Sequence, residues 1–290
     1  MSPVVSTISK DYELKIINTE VIVPALPMQQ RILSLSNLGL TIPPVSVHVF
    51  FYYKNHLTRT FASTLSHLKT SISKVLVSYY VSAGRMVTDS IGLPKVHCNN
   101  KGVRLTQAYA AAALSQLNLY NPDESVQGKL VPSLSKPFQE DGIPFFAAQV
   151  TEFGCGGIVV GCTLDHRVAD AYSANMFLTS WAKLCRNDST VPLNPSITRS
   201  ILCPRDSPAY CAEINNMLIH DAIQSAANEE HFQSLIDFVE IAKPTPVLAK
   251  IYCREDDIQS YVLLSSGLRF SLYEVDFGWG KPTFGNYHFP

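Results

Sequence analysis

The sequence predicts an α/β protein of the α+β type, and three observations carry that prediction. Val47 to Tyr53 reads Val-His-Val-Phe-Phe-Tyr-Tyr, a β-branched and aromatic run entered from the rigid Pro43-Pro44 pair, which suits a strand. Phe61, Leu65, Leu68, Ile72, Val75 and Tyr79 recur in steps of three and four, so they share one helical face that Thr58 or Thr60 can cap. Two apolar runs, Phe145 to Thr151 and Gly157 to Leu164, flank the turn Phe153-Gly154-Cys155-Gly156 and predict a buried hairpin.

The second of these runs leads directly into Asp165-His166-Arg167-Val168-Ala169-Asp170. Ala174, Phe177, Leu178, Trp181 and Leu184 follow at helical spacing, so Asp170 opens a helix, where a carboxylate answers both the free amides and the positive end of the dipole. His166 therefore falls between a buried strand and a helix, a place where side chains are held rigidly. Pro192, Pro195, Pro204 and Pro208 interrupt the next stretch, which shows little periodicity. We expect a linker over 191–212, between an N-terminal domain at 1–190 that carries His166 and Asp170 and a C-terminal domain at 213–290. Within the latter, helical patterns occur around Ile214, Met217 and Leu218 and at Phe232, Leu235, Ile236 and Val239, with strands near Val247 to Cys253 and Tyr261 to Ser265. About eighty residues is small for an independently stable partner domain, so this second domain is expected to be incomplete.

Composition excludes several classes. Among 290 residues, Lys plus Arg (23) and Asp plus Glu (24) balance, and a polyanion partner needs a basic excess, so no nucleic acid is expected. Although 46% of residues are hydrophobic, no stretch approaches the roughly 20 uninterrupted apolar residues of a spanning helix, so no membrane partner is expected. Lys10, Asp11, Glu13 and Lys15 break the start of the chain where a secretory signal would be apolar. The seven cysteines are odd in number and form no Cys-x-x-Cys pair, so they read as small buried residues in a reducing cytosol, with no metal site. The sequon Asn187-Asp188-Ser189 is then idle.

Individual motifs are ambiguous. Gly154, Gly156, Gly157 and Gly161 miss the dinucleotide pattern at Val159 and the P-loop lysine at Cys162. Neither a Gly-x-Ser-x-Gly elbow nor His-Glu-x-x-His occurs, which removes the common serine hydrolases and zincins. His166 and Asp170, four apart, can be a helix cap beside a structural histidine, while as a metal pair they lack further ligands. By itself Asp276-Phe277-Gly278-Trp279-Gly280-Lys281-Pro282 reads as a tight turn, its glycines permitting unusual backbone angles and Trp279 anchoring it in a core.

Taken together, these two segments resemble the plant BAHD acyltransferases. The likeness extends over most of the chain, including Val21 to Pro27, Ala83-Gly84-Arg85, Cys98 to Val103 and Gly156 to Cys162, and is closest to coniferyl alcohol acyltransferase and hydroxycinnamoyltransferase-like members through Asp165 to Asn175 and Ser234 to Asp237. The resemblance implies a chloramphenicol acetyltransferase-like fold of mixed sheets with flanking helices, in a cytoplasmic monomer. It implies acyl-CoA as co-substrate, with no permanently bound cofactor, and a small, phenylpropanoid-type alcohol or an amine as acceptor. His166 matches the catalytic histidine, Asp170 the aspartate that shapes the site, and Asp276, Gly278, Trp279 and Gly280 the family's structural turn near the coenzyme path. Ser265, or Ser266 beside it, matches a candidate oxyanion donor; a strand-end hydroxyl bonded to its own backbone is the plainer alternative. The chemistry is coherent, because a neutral imidazole can accept the acceptor's hydroxyl proton as oxygen attacks the thioester.

Departures from the family pattern are equally visible. Between Asp170 and Asp276 residues are fewer than the pattern requires, as if a block were missing between about Tyr210 and Glu213, and the chain stops soon after the turn. Absent with the block are an Asp-x-Arg-x-Arg-like segment, whose arginine would pair with the aspartate matching Asp170, and a Tyr-Phe-Gly-Asn-like segment of the coenzyme site. A buried Asp170 deprived of that arginine would cost roughly 3 to 5 kcal/mol. Gly267 stands where relatives often have tryptophan, so the acceptor pocket should differ in shape. Gly39 and Val81, where aspartate and proline are common, are expected to leave the chemistry untouched. The alternative function is a catalytically impaired or inactive relative that acts at most as a binding protein.

Overall fold

In the computed structural model, residues 12–54, 60–117, 119, 128–134, 142–188, 195–197, 202–210, 229–247 and 272–288 are described. In chain order they form β1 (Leu14–Ile22), β2 (Arg31–Ser34), α1 (Asn37–Leu40), β3 (Ser46–Tyr53), α2 (Phe61–Ser78), β4 (Arg85–Thr88), β5 (Pro94–Cys98), β6 (Val103–Ala110), β7 (Phe146–Phe153), β8 (Ile158–Asp165), α3 (Ala171–Cys185), α4 (Glu229–Ala242) and β9 (Phe284–His288). A mixed sheet of six strands runs β1-β6-β7-β8-β3-β9, parallel between β6 and β7 and otherwise antiparallel, and a smaller sheet runs β2-β5-β4.

Strand β3, between β8 and β9, shows why its sequence is largely apolar rather than alternating: both faces are covered. Val49, Phe51 and Tyr53 pack with the inner faces of α2 and α3, against Leu68, Ile72, Phe177 and Trp181. Phe50 and Tyr52 point the other way, into a second cluster with Leu130, Val131 and Phe153. Helix α2 begins as expected: the Thr60 side chain accepts from Ser63 N at 3.2 Å. Its Leu68, Ile72 and Leu76 are fully buried, and each such side chain contributes roughly 1.5 to 3 kcal/mol of transfer free energy. The predicted hairpin is present as β7 and β8, paired from Phe146↔Leu164 to Glu152↔Ile158.

Residues 272–288 are built into the same body as residues 12–188. Strand β9 pairs with β3 from Tyr52↔Phe284 to His48↔His288. The Tyr53 hydroxyl donates to Val275 O at 2.6 Å, and Phe277 packs edge-on against Trp181. Tyr53 and Val275, like Trp181 and Phe277, fall on either side of the division into 1–190 and 213–290 expected from the sequence.

Part of the proline-rich stretch is also held. Asp237, buried on α4, accepts from Arg205 N at 2.9 Å and from Ala209 N at 3.2 Å. Burial by itself would push the Asp237 carboxyl up, but these amides, Gln233 and the Arg205 guanidinium hold it below its ordinary value. Helix α4 follows the expected pattern only in part: Ile236 and Val239 are buried, whereas Phe232 is 42% exposed and Ser234 and Asp237 face inward in its place. Cys98, Cys162 and Cys185 are buried as expected, but Cys155 and Cys203 are exposed. The expected helix around Ile214, Met217 and Leu218 and the strands after Val247 lie outside the described residues. No helix among the described residues is long and apolar enough to cross a membrane.

Candidate active site

The segment that carries His166 is fixed from several directions. Strand β8 ends at Asp165, whose amide donates to Phe145 O at 2.9 Å, and the His166 amide donates to Val45 O at 3.0 Å. The residues on either side of His166 then clamp each other. Arg167 donates through Nε to Asp165 Oδ1 at 2.9 Å and through Nη2 to Asp165 Oδ2 at 2.5 Å, while its amide donates to Oδ1 at 3.0 Å. A planar guanidinium matched to a carboxylate in this way is both strong and directional. His166 is half-buried within this turn.

Asp170 opens α3 as expected, its Oδ1 accepting from Ser173 N at 2.7 Å. The side chain is exposed, however, and among the described residues no cation pairs with it. The penalty expected for a buried carboxylate without its arginine therefore does not arise, because water solvates the ion and a backbone amide shares it. Gly39 bears on the packing of this turn. A Cβ there would stand 2.9 Å from Arg167 O, so the bare glycine lets α1 lie close against the His166 turn.

The second predicted segment forms a compact nest. Asp276 Oδ1 accepts from Gly278 N at 2.7 Å and Gly280 N at 3.0 Å, and these glycines have φ of 102° and 108°. That left-handed backbone favours glycine. Trp279, 7% exposed, stacks on Phe277 at 5.4 Å and meets Tyr53 edge-on at 5.7 Å.

Asp276, Gly278, Trp279 and Gly280 are thus brought together, while His166 and Asp170 stand four residues apart between β8 and α3; the two groups lie at opposite ends of the sheet. Asp165 pairs with Ser46 whereas Tyr53, beside Trp279, pairs with Ile158, a separation of seven strand residues or about 23 Å. Helix α3 connects the groups: Asp170 caps its start, and Arg186, just past its end, donates from Nη1 to Asp276 O at 2.8 Å. Ser265, with Ser266 and Gly267, lies outside the described residues.

Two features escaped sequence reasoning. Asp237 pins 205–209 to α4, a role that its place in the Ser234 to Asp237 segment did not reveal. His48 on β3 faces Thr163 on β8, with His48 Nδ1 and Thr163 Oγ1 3.1 Å apart. Nothing local in the sequence marks that meeting of strands.

Comparisons with known proteins converge. The family model described as Transferase family matches residues 12–217 and 212–290. A hydroxycinnamoyltransferase of Narcissus pseudonarcissus is 30% identical over 197 residues, 68% of this chain and 44% of that protein. A fatty alcohol:caffeoyl-CoA acyltransferase of Arabidopsis thaliana is 32% identical over 191 residues, 64% of this chain and 43% of that protein. The chain spans about two-fifths of the length of the curated relatives it matches. Of the solved structures, vinorine synthase aligns with a TM-score of 0.66 at 21% identity, covering 94% of this chain and 88% of that one, and so shares the fold. TRI101 of F. sporotrichioides, complexed with coenzyme A and T-2, aligns with a TM-score of 0.57 at 13% identity, covering 90% and 88%. With a family model spanning nearly its whole length and a mixed-sheet fold shared with vinorine synthase, the chain belongs to the Transferase family, the BAHD acyltransferases.

Proposed function

We propose that the protein transfers an acyl group from acyl-CoA to the hydroxyl of a small, phenylpropanoid-type acceptor, with His166 as general base. The single observation that carries this reading is the rigid mounting of His166 between β8 and α3, its backbone tied to Val45 O and its neighbours Asp165 and Arg167 locked together. A base must be held within hydrogen-bond reach of the proton it takes, and a fixed backbone limits the search to one ring. The imidazole accepts the hydroxyl proton as the oxygen attacks the thioester carbonyl; collapse of the tetrahedral adduct expels the thiolate, which takes that proton from the imidazolium. No covalent enzyme intermediate is required. Hydroxycinnamoyl and caffeoyl donors in relatives' names, and coenzyme A in the TRI101 structure, support the choice of donor class.

Asp170 and the Asp276, Gly278, Trp279 and Gly280 turn act on the site indirectly in this scheme. They fix the two ends of α3, which over 15 residues spans about 22 Å. The experiment is thiol release from p-coumaroyl-CoA with coniferyl alcohol. His166→Ala should lower the rate by about 10² to 10⁴, and an unchanged rate would remove the assigned role. A second reading, a binding protein without catalysis, is favoured by the lack of a cationic partner for Asp170 among the described residues. Calorimetric titration with coenzyme A separates the proteins that bind the co-substrate from one that has lost it.

A further inference from the structure

The sheet face beside the His166 turn carries a second imidazole with a defined proton. Thr163, fully buried, donates its one hydroxyl proton to Pro132 O at 2.7 Å, since a carbonyl cannot donate. The same oxygen lies 3.1 Å from His48 Nδ1, and with its proton already committed it can only accept. His48 is therefore the Nδ1–H tautomer, and its Nε2 carries a lone pair. Among the described residues no donor is bonded to Nε2, and it is not sealed from solvent. Such a lock, one ring nitrogen tied off so that the other is presented, is how a protein aims an imidazole. His288 on β9 stacks over the ring at 6.4 Å and 14°. Burial, together with His288, holds His48 down at about 4, so the ring is neutral and the lone pair available at any ordinary pH.

Register fixes its place. His48 pairs with Thr163 and Ser46 with Asp165, so His48 shares a sheet face with the residues that lead into the His166 turn. It lies three residues from Val45, the partner of the His166 amide, about 10 Å along the strand.

We infer that His48 is a specificity-determining residue, whose Nε2 accepts a hydrogen bond from a second O–H or N–H group of the acceptor while a different hydroxyl is acylated at His166. This rests on the acyl-transfer reading. It predicts acceptors with two donors at the ends of an elongated skeleton, such as a hydroxylated cinnamyl alcohol, over those with one.

The test compares coniferyl alcohol with cinnamyl alcohol, which lacks the second donor, using p-coumaroyl-CoA. His48→Phe, which keeps a ring in place, should raise KM for coniferyl alcohol about five- to tenfold, the worth of one neutral hydrogen bond, while kcat and the cinnamyl alcohol values stay put. Equal effects on both acceptors overturn the assignment. Side-chain histidine nitrogen NMR reads the tautomer without any turnover: His48 should be Nδ1–H in the native protein and lose that lock in Thr163→Val, and a native Nε2–H form overturns it too. If the native protein releases no thiol with either alcohol, it is the acyl-transfer reading that has failed. Calorimetry with coniferyl alcohol alone then decides on His48 as the acceptor's hydrogen-bond partner: binding weakened about fivefold in His48→Phe sustains that contact, and binding that is absent or unchanged overturns it.

Discussion

At the scale of single residues, the proposed function asks some side chains for chemistry and others for shape. Asp170 belongs to the second kind in this structure, an exposed N-cap. Asp170→Ala should cost about 1 kcal/mol, the usual worth of such a cap, and Asp170→Asn should cost little because asparagine caps equally well; urea midpoints check both. A loss of several kcal/mol in the alanine variant would mean that the carboxylate is buried in a network the exposed cap does not show. His48 gives a pH dependence with a definite sign. Its folded value, about 4, lies below its unfolded value, about 6.5, so between these the unfolded chain binds more protons. Stability present above pH 6.5 is therefore lost as the pH falls toward 4, and His48→Asn should flatten that part of the profile. A slope identical in the variant would show that His48 is not the titrating group. The placement of His166 and Asp170 was legible because strand, turn and helix follow one another in the sequence. The His48 to Thr163 contact was not, because it depends on how β3 and β8 register across more than a hundred intervening residues.

At the scale of elements, legibility followed burial. Strand β3, the β7–β8 hairpin, α2 and α3 are covered on their apolar sides and carry strong patterns. Strand β1, Leu-Lys-Ile-Ile-Asn-Thr-Glu-Val-Ile, sits at an edge with most residues exposed and a register shift between Ile16 and Asn18, and its mixed composition conceals it. Strand β9 contains Gly285 and Asn286, poor strand formers, and exists because β3 offers it a partner. The nest at Asp276 to Gly280 was read correctly as a turn with a buried tryptophan, but its distance from His166 could not be seen. Gly278→Ala forces a side chain onto a backbone at φ 102°, and Trp279→Ala opens a cavity of a size that costs about 3 to 5 kcal/mol. Both should lower the thermal midpoint while Gly278→Ala, measured on folded protein, leaves the KM for acyl-CoA within about twofold; a large KM change at full folding would place the turn in direct contact with the co-substrate.

At the scale of the whole molecule, the parallel β6–β7 pair and the return of β9 to β3 are the features that composition and periodicity leave open. They are set by which faces remain to be covered after the local elements have formed. The proline-rich stretch illustrates the same point: its prolines say that it is irregular, whereas Asp237 decides that 205–209 is pinned. Asp237→Asn weakens the acceptors for the Arg205 and Ala209 amides and removes the charge that faces the Arg205 guanidinium. Trypsin should then cut after Arg205 several-fold faster, while an unaltered cleavage rate would show that the segment is held by other contacts.

Placing 284–288 beside β3 has a consequence for how the protein is made. During synthesis the hydrogen-bonding edge of β3 emerges from the ribosome more than two hundred residues before the strand that covers it. Until then the nascent chain displays an unpaired ladder rimmed by Phe50 and Tyr52, the kind of surface that chaperones retain and that neighbouring polypeptides pair with. Yield in cells should accordingly depend on holdase supply and rise at low temperature, independently of how stable the finished molecule is.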